Sequence, residues 1–123
     1  MVEVKNKRVF LSGPMSDDPD TYHVHDFVDA HIKLKRCGAF HVFNPAIKWL
    51  EEDCETQDHE YYMRKCIWEL LSETFSFEPD TGRESTYDLL VQLHGWDASE
   101  GARTEYEVAK ACGIPVCGID EVV

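Results

Sequence analysis

One carboxylate near the end of the chain stands among small apolar residues. Ala102, Glu105, Ala109 and Cys112 are spaced 3, 4 and 3 apart, the repeat of a single helical face. Glu107 and Lys110 fall off that face and read as solvated. A carboxylate on a packing face is costly unless it is paired or put to use. Near a helix N-terminus, whose dipole favours the charged form, Glu105 could act as a nucleophile or general base. The alternative is a boundary residue whose carboxylate reaches solvent. Gly101, Ala102 and Ala98 carry little or no side chain, which would let a ligand approach the backbone. Ser99 is suited to cap the helix, and could equally help backbone N–H groups hold an anion such as phosphate. Trp96 could stack on a base or serve as a half-buried aromatic.

Other chemistries find little support. No glycine-rich loop fits a P-loop or a dinucleotide fingerprint. The five cysteines (Cys37, Cys54, Cys66, Cys112 and Cys117) are odd in number and form no CxxC pair. A disulfide framework or structural zinc site is therefore not expected, and free thiols in a reducing cytoplasm are. His23 and His25 are two apart, which a helix splays to different sides. No metal and no organic cofactor is implied.

These residues need elements to position them. Lys7 to Ser12 reads as a strand ended by the Gly13-Pro14 turn, with Met15 to Asp20 a loop. A helix follows from Thr21, with Phe27, Ala30 and Leu34 on one face and Gly38 closing it. His41 to Phe43 is a short strand stopped by Asn44-Pro45. Glu51 to Glu60 reads as acidic and exposed, and Tyr62 to Leu71 as a helix presenting Met63, Ile67, Leu70 and Leu71. Thr74 to Thr86 has turn chemistry and reads as an exposed loop or β-excursion. Asp88 to Leu93, DLLVQL, is a nearly continuous apolar run suited to a buried parallel strand. Gly95-Trp96 breaks it, Gly101 to Cys112 is a helix, and Ile114 to Ile119 is a last strand.

The order β-α-β-α-β-α-β predicts an α/β domain with a parallel sheet. In such sheets ligands bind beyond the C-terminal ends of the strands. Three unusual segments fall there: Ser12-Gly13-Pro14-Met15, Asn44-Pro45, and Gly95 through Ala102. They form one rim of a site, or else they are three turns that need Gly and Pro.

Composition narrows the function classes. The 123 residues make one domain, 1–123. Twelve Lys and Arg against 24 Asp and Glu leave a net charge of −12. Such a surface repels phosphate backbones and anionic membranes, so neither nucleic acid nor a membrane is expected as partner. A small anionic substrate remains open, because a pocket's local field can oppose the net charge. Hydrophobic residues at 43% suit a folded domain rather than an acidic tail. No apolar stretch approaches the ~18 residues of a membrane span. The segment MVEVKNKRVFLSG lacks the apolar region and cleavage site of a signal peptide. A cytoplasmic location is the expectation.

VFLSGPM at the first strand, NPA after the second, and DLLVQLHGWDASEGARTEYEVAKACGIPV near the end resemble the nucleoside 2-deoxyribosyltransferase superfamily. The likeness is greatest to its compact, mostly bacterial and phage branch, whose function is unknown. The resemblance runs over nearly the whole chain. It implies a flavodoxin-like or Rossmann-like three-layer α/β sandwich with a mainly parallel sheet, and an enzyme that cleaves N-glycosidic bonds. The family's glutamate nucleophile matches Glu105, which would form a covalent glycosyl-enzyme as retaining glycosidases do. A second base, in a transferase, or water, in a nucleotide N-hydrolase, would complete the double displacement. Asp88 matches a family aspartate that is either structural or positions the site. The residue six before the glutamate contacts the sugar's 5′ end. Transferases of free nucleosides carry Asp there, whereas relatives that hydrolyse nucleoside 5′-monophosphates carry Ser, as here with Ser99. The expected site thus comprises Glu105 with Ser12, Gly13, Pro14, Met15, Asn44, Asp88, Gly95, Trp96, Ser99, Gly101 and Ala102. The expected partner is a small-molecule nucleoside or nucleotide, and the family's homo-oligomeric assembly is expected too, with neighbouring subunits completing the pocket. Three features depart from the family. Phe10, Leu11 and Ser12 stand where transferases have an orienting tyrosine. Cys66 replaces a common acidic residue, with Glu69 nearby in sequence. The Thr74–Thr86 segment is longer than usual. These departures motivate the alternative of a catalytically silent nucleotide-binding or sensing module.

Overall fold

A computed structural model of the chain describes residues 1–14, 24–46, 59–71 and 87–123. The strands are β1 (Arg8–Ser12), β2 (His41–Phe43), β3 (Leu89–Gln92) and β4 (Val116–Gly118). The described helices are α1 (Val24–Arg36), α2 (His59–Leu71) and α3 (Glu100–Ala111). The strands form one sheet of order β2-β1-β3-β4 in which every pairing is parallel. This is the flavodoxin-like order.

Period-two alternation divides the core into two layers. On β1, Val9 and Leu11 turn to one face, where they join Leu89, Val91 and the α1 residues Phe27, Ala30 and Leu34. Phe10 turns to the other face, with Leu90 of β3, Cys66 and Leu70 of α2, and Ala109 of α3. Helices cover both faces, so all five residues of β1 and all four of β3 are buried. That explains why DLLVQL reads as an unbroken apolar run.

The parallel sheet and its crossover helices follow the expected order, with local corrections. On α2 the sheet-facing pair is Cys66 and Leu70, while Leu71 is 43% exposed. The 4-residue step from Cys66 to Leu70 follows the helical stripe, and one further residue turns about 100° away from it. On α3, Ala102, Glu105 and Ala109 are buried, but Cys112 is exposed. Helical geometry ends at Ala111, and Cys112 is the C-cap, so it leaves the face. β4 is shorter than Ile114–Ile119. The Ile114 N–H closes the end of α3 on the Ala109 carbonyl at 2.8 Å, and Ile119 opens a short 3₁₀ turn. The expectations for Met15 to His23, Glu51 to Asp58 and Thr74 to Thr86 lie outside the described residues. No helix among the described residues is long and apolar enough to cross a membrane.

Candidate active site

From β1 the chain crosses to β2 on one side, and from β2 it returns past β1 to β3 on the other. The crevice at that reversal, beyond the C-terminal ends of β1 and β3, is where open α/β sheets bind ligands. Here Ser12 pairs in register with Gln92. The turns that follow lie against each other, and the Leu93 N–H donates to the Ser12 carbonyl at 2.8 Å. A Cβ on Gly13 would stand 2.8 Å from Leu93 Cβ, so only glycine lets the two turns approach this closely. Gly95 has φ +85° and opens the Trp96–Ala98 turn beside Pro14.

The turn delivers the chain to α3. Ser99 takes extended backbone angles, and its Oγ accepts the Ala102 N–H at 3.3 Å. This is an N-cap, and the hydroxyl proton stays available to donate. Gly101 and Ala102 form the first turn behind it. Glu105 follows about one turn later on the sheet-facing side, 6% exposed.

Ser12, wholly buried at the end of β1, donates from Oγ to Glu105 Oε1 at 2.9 Å. The buried Cys66 thiol on α2 donates to the same carboxylate. Three elements thus converge on one carboxyl group. Burial pushes Glu105 up to about 7, while the hydrogen bonds from Ser12 and then Cys66 oppose that rise by favouring the anion. Burial, reinforced by the adjoining Glu105 carboxylate, pushes the Cys66 thiol well above its ordinary range. Cys66 therefore stays protonated and acts as a donor, not as a thiolate nucleophile.

Ser12, Gly13, Pro14, Gly95, Trp96, Ser99, Gly101, Ala102 and Glu105 all meet at this rim. Trp96 is half-buried, with its ring tilted 39° against Tyr106 at 5.1 Å between centroids. Asn44 lies at the same end of β2 and is engaged in holding the fold. Its Nδ2 donates to the Phe27 carbonyl at 3.2 Å, and its Oδ1 accepts the Ala46 N–H at 3.0 Å. Asp88 stands apart, at the N-terminal end of β3, where its Oδ2 accepts the Arg8 N–H at 3.0 Å. That favours its structural role. Glu69 also lies toward that end, accepting from the Tyr87 hydroxyl. Met15 lies outside the described residues. No group of three or more metal-binding side chains occurs among the described residues.

Cys66, which bonds Glu105, and Gln92, the register neighbour of Ser12, escape a reading by sequence. Cys66 stands out only by replacing an acidic residue, with nothing in its own neighbourhood to mark it as a donor. Gln92 is hidden inside an apolar run. Its signal is that it shares a sheet face with Leu90 and yet is polar.

The profile of a family described as "Domain of unknown function (DUF4406)" matches residues 78–118, about a third of the chain. The match takes in β3, the Trp96 turn, α3 and β4. No curated protein and no solved structure matches the chain.

Proposed function

We propose that this chain cleaves the N-glycosidic bond of a nucleoside or nucleoside 5′-monophosphate through a covalent intermediate on Glu105. The observation that carries this reading is the Glu105 carboxylate, buried at the switch point and aimed by Ser12. The ionised carboxylate attacks the anomeric carbon as the carbon–nitrogen bond breaks. The bonding pair leaves with the base, which takes up a proton. Water or a second base then attacks the same carbon and frees the carboxylate. Ser12 takes the positioning role that a tyrosine holds in the transferases this chain resembles. The Ser99 hydroxyl, at a helix N-terminus, suits a 5′-phosphate better than a carboxylate would.

The test is a panel of nucleosides and their 5′-monophosphates, with and without a second free base, read by chromatography. Base release from monophosphates alone, abolished by Glu105→Ala, makes the protein a nucleotide N-hydrolase. Base exchange on free nucleosides makes it a deoxyribosyltransferase and removes the phosphate role from Ser99. A second reading has its own observation. A carboxyl pushed up to about 7 is partly neutral at physiological pH, and a neutral acid is a poor nucleophile. Nucleotide binding that survives Glu105→Ala, with no base released by the wild type, would identify a sensing module.

A further inference from the structure

Basic residues are not spread evenly over this acidic chain. Residues 30–50 contain no Asp or Glu, although the chain holds 24 of them. The fold brings part of this stretch, the end of α1 and the turn into β2, against the start of β1. The Asn6 N–H donates to the Gly38 carbonyl at 2.9 Å, and the Phe40 N–H to the Lys7 carbonyl at 2.8 Å. Arg8 pairs in register with His41. Five of the 12 Lys and Arg therefore gather at one end of the sheet, in residues 5–8 and 35–36. This is the end opposite the crevice, since β1 begins at Arg8 and reaches the crevice at Ser12.

Lys5, Lys35 and Arg36 are exposed. Cations in the last turn of α1 complement the helix dipole, which accounts for Lys35 and Arg36. It does not account for Lys5 and Lys7, nor for Phe40 between them and α1. The Phe40 ring is 54% exposed, and the Arg8 guanidinium carbon stands 5.6 Å from its centroid. Lys35 Nζ donates to the Phe40 carbonyl at 3.1 Å. Of the carboxylates at this end, Asp88 accepts the Arg8 N–H and Glu69 the Tyr87 hydroxyl, and Glu3 is exposed. An exposed aromatic ring set among cations has the composition of an interface anchor.

We propose that this basic pole docks a short acidic segment of a partner protein, with an apolar side chain of that segment lying on Phe40. At physiological salt, charges more than about 8 Å apart are largely screened, so the pole attracts anions locally although the net charge is −12. A nucleic-acid duplex or an anionic membrane extends well past that distance and meets the acidic remainder of the surface. A short acidic segment meets only the pole. The apolar contact for Phe40 also favours a peptide over a small inorganic anion. The assignment does not rest on the glycosidic reading.

A short fluorescein-labelled peptide of alternating glutamate and leucine tests this by fluorescence anisotropy, with the serine–leucine peptide as neutral control. The expected result is tighter binding of the glutamate peptide, weakening as sodium chloride is raised. Lys5→Glu combined with Arg36→Glu should weaken it about tenfold, and Phe40→Ser severalfold. In ¹⁵N-labelled protein the Gly38 and Phe40 amides should shift on adding the peptide, while those of Ser12 and Ala102 stay in place. Lys5→Gln with Arg36→Gln takes the place of the charge reversal if that variant does not fold. Equal binding of the two peptides, unchanged binding by the variants, shifts confined to Ser12 and Ala102, no binding at millimolar peptide, or tighter binding of duplex RNA or phosphatidylserine vesicles would overturn the assignment. Self-association of the peptide-free chain that the same variants abolish would give the pole to a second copy, and would overturn it too.

Discussion

If Glu105 attacks as an anion, its protonation governs the rate. The kcat/KM for base release should therefore rise with pH through about 7 and level off above it. Ser12→Ala removes a hydrogen bond that favours the anion, so the rise should move to higher pH by roughly one unit while the variant stays folded. A pH–rate series on both proteins checks this. The same carboxyl couples pH to stability. Folded, it keeps its proton up to about 7, whereas its ordinary value is 4.5. Between these values the folded state binds more protons than the unfolded state. Stability from this group is thus complete below the lower value and is lost as pH rises through the upper one. Glu105→Gln cannot ionise. Its unfolding free energy relative to the wild type should climb from pH 4.5 to 7, by an amount on the order of 3 kcal/mol, and calorimetry at several pH values would measure it.

At the scale of elements, the start of α3 carries two separable duties. Ser99→Ala removes the oxygen that accepts the Ala102 N–H and should cost about 1 kcal/mol in denaturant unfolding. Ser99→Asp keeps a capping oxygen and should keep stability. Under the proposed function it should depress kcat/KM for monophosphates well below that for free nucleosides, since its charge repels phosphate. Equal loss on both substrates would leave Ser99 as a cap alone. The elements themselves were largely legible in the sequence. Phe27, Ala30 and Leu34 on α1 mark a stripe because one long helix lies on one sheet face, and period-3.6 spacing records that directly. Glu105 was legible because α3 is amphipathic and a carboxylate is conspicuous among alanines. That Ser12 and Cys66 pair with it was not. Ser12 and Cys66 reach it from separate elements, through contacts that no local pattern encodes. Asp88 was open between a structural and a positioning role, and its place at the start of β3, bonded to the Arg8 N–H, favours the structural one.

For the whole molecule, the net charge of −12 bears on substrates that the site would take. A 5′-monophosphate must approach through a repulsive field, so its kcat/KM should rise when salt increases from roughly 10 mM to 150 mM, as the screening length shrinks from about 30 Å to about 8 Å. A free nucleoside should show no such rise, and a rate series in sodium chloride with both substrates reads the contrast. The sheet order carries a consequence for how the protein is made. β1 and β3 are neighbours in space, but the Arg8–Asp88 contact spans 80 residues and the Ser12–Glu105 contact spans 93. Closing such loops is the slow part of acquiring a parallel sheet, while helices form locally and early. The halves that carry serine and glutamate meet only when that seam shuts. On dilution from denaturant, helical signal should therefore return before any base-releasing activity does, and a newly synthesised chain should hold no reactive carboxylate until its last strands have docked.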